Sequence, residues 1–147
     1  AAYTGRLEAV QCLIEGGANL DAQDKSGATA LHHTAERGHT DIVKILADKG
    51  ADVNIRDKAL LTPLHNACFH GHYECAVIIC DRGASVNTEE KVTSPLHHAS
   101  YSGHTRCATL LLDRGALIDA RDAEGAASLH KSCFNGHVEC TALLLDR

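Results

Sequence analysis

A four-residue block recurs along the chain as Thr29-Ala30-Leu31-His32, Thr62-Pro63-Leu64-His65, Ser94-Pro95-Leu96-His97 and Ala127-Ser128-Leu129-His130. The block histidines lie 33, 32 and 33 positions apart, and each block is followed by Gly38-His39, Gly71-His72, Gly103-His104 or Gly136-His137. A period of that length marks one short supersecondary unit. Such a unit cannot bury its apolar face alone, so neighbours have to stack into an array. In a stack the working part is a surface shared by several units, not a single enclosed pocket.

Composition narrows the classes further. Of 147 residues 44% are apolar, enough for a core, yet aromatics make up only 3% and Met and Trp are absent. Small and aliphatic side chains must therefore fill it, as thin and closely stacked helices require. A formal net charge of −5 speaks against general nucleic-acid affinity, which needs clustered Lys and Arg. No stretch approaches the ~20 apolar residues of a membrane span, and no signal peptide is visible. The seven cysteines are odd in number and lack a secreted-scaffold spacing. They point to reduced thiols in an intracellular protein, cytoplasmic or nuclear. The chain opens at Ala1 without Met and closes at Arg147, partway through the period at both ends, so both ends read as cut from a longer array.

Within each unit, Thr or Ser supplies an N-cap to a first short helix that ends at Gly5, Gly38, Gly71, Gly103 or Gly136. A second helix with apolar residues at helical spacing follows, such as Ile42, Val43, Ile45 and Leu46, and stops at Gly17, Gly50, Gly83 or Gly115. Lys49, Arg82, Arg114 and Arg147 put a cation beside the negative end of that helix, which suits its dipole. Between units, alternation and turn residues as in Ala51-Asp52-Val53-Asn54-Ile55-Arg56-Asp57 predict a short β-hairpin.

These units resemble ankyrin repeats, whose motif runs Asp-x-x-Gly-x-Thr-Pro-Leu-His-x-Ala-Ala-x-x-Gly-His and on to Leu-Leu-x-x-Gly-Ala. The likeness covers the whole chain, about four and a half units. It implies an all-α solenoid of stacked helix-turn-helix units joined by short β-hairpin loops, one domain with units at about 1–23, 24–56, 57–89, 90–121 and 122–147. It also implies a curved stack whose concave groove binds another protein, with hydrogen bonds from the block residues Thr29 and His32, Thr62 and His65, and Ser94 and His97 tying units together. His130 keeps its half of that tie, but Ala127 has no hydroxyl. Asn54, and less well Asn87, resemble the hairpin asparagines that asparaginyl hydroxylases modify in this family.

Three departures from the pattern carry expectations. Leu60 stands where the turn expects glycine, so that turn cannot use positive φ cheaply. The loop from Asn87 to Ser94 is one residue short and has no glycine, which predicts a distorted finger. Ala127-Ser128 replaces Thr-Pro, so the last unit's helix start should be held least well and local stability should fall there first.

Eleven histidines suggest metal, and His65, Cys68, His72 and Cys75 could be drawn as a zinc set. The turn glycine puts its halves on different helices, however, and the same histidines recur where cysteine is absent, as at His32 and His39. No metal or cofactor is expected. The cysteines replace Ala and Ile in the helix pattern, and no glycine-rich phosphate loop exists, so the chain is not expected to be an enzyme.

Candidate partner contacts come from residues that break the period. Tyr3, Phe69, Tyr101 and Phe134 share the position two before the first-helix glycine, with Glu36 interrupting the series. Helices packed roughly 10 Å apart would set the rings at that step, a ladder for an extended peptide. His70 flanks it, while Arg56, Lys58 and Arg121 on the hairpin tips would steer an acidic protein or peptide. The functional expectation is a non-catalytic interaction module with a protein or extended-peptide partner, with self-association through the rings as a further option. The alternative is the substrate-recognition arm of a larger enzyme, such as a ubiquitin ligase subunit, kinase, acyltransferase or GTPase regulator.

Overall fold

The computed structural model describes the backbone of residues 2–89 and 91–147 and the side chains of 7–89 and 91–147. Among the described residues nine helices follow one another. They are α1 (Ala2–Glu15), α2 (Ala30–Glu36), α3 (Thr40–Asp48), α4 (Pro63–His70), α5 (Tyr73–Asp81), α6 (Pro95–Ser102), α7 (Thr105–Asp113), α8 (Ser128–Phe134) and α9 (Val138–Asp146). First helices pack in one row, α2 on α4 on α6 on α8, and second helices in another, α1 on α3 on α5 on α7 on α9. The all-α stack expected from the period is the fold. Gly5 departs from its expected role: it lies within α1.

Between the rows the repeat positions form one core. Leu31, Leu64 and Leu96 of the block are fully buried, as are Ala35, four residues on, and Ala67 and Ala99, three residues on. Val43, Ala76, Ala108, Ile79 and Leu111 meet them from the second helices, and Cys68, Cys75, Cys107 and Cys140 fill the gaps where Ala or Ile would serve. Sulfur is acting here as a small apolar atom.

The block histidines join the units. In the second unit Thr29 N–H donates to His32 Nδ1 at 3.0 Å, so Nδ1 is unprotonated and Nε2–H donates to the Leu61 carbonyl of the next unit at 3.1 Å. His65 repeats this with Thr62 N–H (3.0 Å) and the Thr93 carbonyl (3.0 Å), and His97 with Ser94 N–H (3.2 Å) and the Ala126 carbonyl (3.0 Å). In the last unit Ala127 N–H still reaches His130 Nδ1 at 3.2 Å, without a hydroxyl to reinforce it. That helix starts with Ser128, and α2 with Ala30; both are seven residues long, against eight in α4 and α6, which start with proline.

A second joint uses the Gly-His pair. Gly71 takes φ +74°, and a β-carbon there would stand 2.5 Å from the His104 ring of the following unit. Gly38 faces His72 and Gly103 faces His137 in the same way. Each ring lies flat on the preceding glycine and donates to a carbonyl close by, His72 to Glu36 at 3.0 Å and His137 to Tyr101 at 2.9 Å.

On the opposite edge the cations expected to serve helix dipoles reach further. Arg82 pairs with Asp48, and Arg114 with Asp81 at 2.8 Å; Arg147 pairs with Asp113, each arginine crossing to the preceding unit. Asn54 and Asn87 also bridge units. Asn54 donates to the Gly83 carbonyl (3.2 Å) and accepts from Ser85 N–H (2.8 Å), and Asn87 does the same with Gly115 and Leu117 (3.0 and 2.8 Å). Both ends of each amide are thus occupied, by the next unit's turn and not by its own.

The β-hairpins are the main correction. No strand forms among the described residues; one isolated parallel bridge joins Lys91 and Asp122. The fingers close as tight turns whose arms are too short for a ladder. In the first, Asp24 N–H donates to the Ala28 carbonyl and Gly27 N–H to Asp24, both at 2.9 Å. Asp24 Oδ1 then accepts from Ser26 N–H and Ala28 N–H at 2.8 and 3.1 Å. Asp57 and Asp122 repeat the arrangement. The short third finger lacks this aspartate clip: Thr88 Oγ1 donates to the Val92 carbonyl at 2.9 Å, and Lys91 is driven to φ +65°. In the second finger Leu60 takes φ +64° with its side chain half exposed, so the turn adopts the strained conformation despite lacking glycine.

Two outcomes follow from these joints. Gly71→Ala should destabilise the array by about 1–2 kcal/mol more than Gly136→Ala. Both pay for positive φ, but the Gly136 site has nothing within 4 Å whereas Gly71 must expel His104; urea denaturation of the two variants measures the gap. Leu60→Gly should raise stability by about 0.5–1 kcal/mol, the relief of a bulky side chain at positive φ exceeding the entropy glycine adds to the unfolded chain; its midpoint in the same titration should move up.

Candidate partner-binding groove

The row of first helices and the fingers beside it enclose two adjoining cavities that share Phe69 and His98. The larger, of about 360 Å³, runs from the first two fingers across α2 and α4, with Ser26, Asp57, Glu36 and Asn66 on its walls. The smaller, of about 220 Å³, lies over α4 and α6, between Phe69, Tyr101, Thr93 and Lys131.

Phe69 and Tyr101 carry the floor. They project from the ends of α4 and α6, where the helical period puts the residue two before the glycine on the finger side. Phe69 is 38% exposed and Tyr101 48%, so neither is sealed in the seam. Their centroids are 6.2 Å apart with ring planes 15° from parallel. The step is thus shorter than the roughly 10 Å expected from helix packing, because the side chains lean together above the helices that carry them. Phe134 does not extend the stack: it is 88% exposed, and among the described residues no ring lies against it. Glu36 takes the ring's place at the other end. The ladder is therefore a pair of rings. The side chain of Tyr3 lies outside the described residues.

His70 stands edge-on to Phe69 at 5.1 Å and stacks on His72 at 6.1 Å. The steering cations are placed differently from one another. Arg56 forms an ion pair with Glu89 of the next finger at 3.1 Å, which cancels its charge locally. Arg121 Nη1 donates to the Gly125 carbonyl of its own finger at 3.2 Å. Lys58 is exposed on the second tip and lines neither cavity. Lys131, at the edge of the smaller cavity, pairs with Asp122 at 2.8 Å and Glu124 at 3.0 Å, and those bonds raise its pKa.

Sequence reasoning missed the residues following each block histidine: His33, Asn66, His98 and Lys131. All four line a cavity. The signal was available, since that position breaks the period as clearly as the aromatic one does. His98 sits under the ring pair, 5.5 Å from both the Phe69 and the His65 ring centroids, with its Nδ1 buried and unpartnered.

Burial pushes His98 down to about 4 and His65 down to about 3, the neighbouring imidazoles adding to the effect. Both are therefore neutral in the folded array at pH 7. Burial lowers His32 and His97 as well. Five thiols are buried, Cys68, Cys75, Cys80, Cys107 and Cys140, and two exposed, Cys12 and Cys133. Burial raises Cys80 to about 11 and lifts Cys75 and Cys140 too, away from thiolate character. Among the described residues no group of three or more His, Cys, Asp or Glu could hold a metal ion, and no helix is long and apolar enough to cross a membrane.

Family models described as ankyrin repeats match the chain over residues 1–90, in three copies, and over residues 96–145. Comparison with curated proteins gave no match.

The histidines set the pH response. In the unfolded chain they titrate near 6.5, so below that value it takes up protons that the folded His65 and His98 refuse, and stability falls as pH drops from about 6.5 toward 4. At pH 5 each contributes up to about 2 kcal/mol of this loss. His98→Asn, which copies Asn66 at the equivalent position, should remove about 2 kcal/mol of the stability difference between pH 7 and pH 5, measured by urea denaturation at the two pH values.

Proposed function

The chain belongs to the ankyrin-repeat family, and we propose that it works as a binding module holding an extended segment of a partner protein over Phe69, His98 and Tyr101. Repeats of this family are generally protein–protein interaction modules. The observation that carries the reading is the parallel pair of half-exposed rings, 6.2 Å apart, on the floor of two adjoining cavities.

Rings in this position offer large contact area at small entropic cost, since each has only two side-chain torsions to fix. The interlocked joints keep the floor preformed, so docking orders the partner and leaves the array unchanged. On the groove floor His98 is neutral and sits beside the Phe69 ring, while Cys68, Cys75, Cys107 and Cys140 are buried in the core. The groove is assigned the recognition step, whether the chain acts alone or within a larger assembly. Seven free thiols suit a reducing compartment. A preference for acidic segments has little support from Arg56 and Lys131, both of which are engaged by carboxylates.

Phe69→Ala combined with Tyr101→Ala should abolish affinity capture of partner proteins that the unaltered array retains, with helicity by circular dichroism unchanged. Each ring should contribute about 1–2 kcal/mol to the complex. An array that loses helicity while its remaining folded fraction captures the same proteins would assign the rings to the fold instead.

A further inference from the structure

The two cavities differ in chemistry, and the difference specifies what lies in each. The larger is lined by two carboxylates, Glu36 and Asp57, and by no lysine or arginine. Asp57 Oδ1 accepts from the N–H groups of Ala59 and Leu61, at 2.8 and 3.0 Å, and among the described residues no hydrogen bond reaches Oδ2. Glu36 is exposed, and among the described residues the ion-pair contact of its carboxylate is His33 Nδ1 at 3.9 Å. Phe69 closes one side of this acidic space with an accessible aromatic surface. Carboxylates beside an open ring form a seat for a cation, and a planar guanidinium suits it better than an ammonium, because it can stack and bond a carboxylate in two places.

Beyond Phe69 the character changes. The smaller cavity is walled by Phe69, Tyr101, the ring of His98 and Thr93, and its single cation, Lys131, is held by Asp122 and Glu124. An apolar side chain is the occupant that leaves no charge unpaired there. The two spaces share Phe69 and His98, so their occupants are near neighbours on the ligand. Side chains on one face of an extended strand repeat about every 6.6 Å, at i and i+2, so the next side chain on the same face is the one that reaches the adjoining space across the shared Phe69 ring. The net charge of −5 also draws a basic segment toward the array from a distance.

We infer that the groove selects an extended segment in which an arginine or lysine stands two residues from an apolar side chain, the cation meeting Glu36 and Asp57 and the apolar chain filling the space beside Tyr101. This rests on the groove being the partner site, and it reverses the charge preference that the finger-tip residues Arg56, Lys58 and Arg121 suggest in the sequence.

The test is a phage-displayed selection of random peptides on the full chain, repeated on three variants. Glu36→Gln with Asp57→Asn removes both charges and leaves an acceptor for the second finger; Glu36→Lys inverts the exposed one; Phe69→Ala with Tyr101→Ala removes the floor. On the unaltered chain the enriched peptides should share a basic and an apolar residue at i and i+2. The best of them, synthesised with a fluorophore, should bind the doubly neutralised variant about tenfold more weakly. Glu36→Lys should enrich acidic peptides instead. Enrichment of acidic or uncharged peptides on the unaltered chain, no enrichment at all, or equal affinity for the neutralised variant overturns the inference while leaving the groove reading to its own variant. Enriched peptides that bind the ring-truncated variant unchanged overturn the groove reading itself.

Discussion

The structure rests on an imidazole that uses both its nitrogens. Nδ1 of His32, His65 and His97 accepts the backbone N–H that opens its own helix, and Nε2 gives its proton to a carbonyl of the next unit. One side chain thereby holds a helix start and a unit boundary in a single buried tautomer. Neither bond alone would be worth much more than about 1 kcal/mol, but the ring has to be neutral and correctly turned to make both. Lysine and arginine, which carry donors but no acceptor, cannot reproduce that pair of roles.

Around this tie, three weaker connections distribute the load. Imidazoles lie on glycines at the inner turns, asparagine amides bridge the outer loops, and arginines reach back to aspartates at the ends of the second helices. The arginine pairs are exposed and add little apiece. Their value is positional: with contacts at three edges, a unit cannot pivot on its neighbour. A floor that does not pivot is what allows Phe69 and Tyr101 to stay parallel without being buried.

Most of this stack is legible in the chain because the period repeats. The block, the turn glycines and the apolar spacing each identify an element, and among the described residues nine helices in two rows result. What was illegible depends on side-chain direction. The 6.2 Å ring spacing could not come from helix separation, and the pairing of Arg56 with Glu89 could not come from a count of charges. Strands in the fingers were expected from alternation, yet the aspartate carboxylate of each regular finger folds the chain back before a ladder can begin. The residue after each block histidine, His98 above all, was passed over because its neighbour dominated the pattern.

The glycine–histidine contact makes each unit asymmetric. Gly71 presents a hollow in one direction while His72 of the same unit fills the hollow at Gly38 in the other. A segment bearing both halves is compatible with any other such segment on either side, so an array of this kind can be lengthened by duplication without inventing a new boundary. Lose one half, and the neighbour is left with a gap or a collision. What those two positions must satisfy is the fit between adjacent copies, a constraint that the groove-facing side chains do not share.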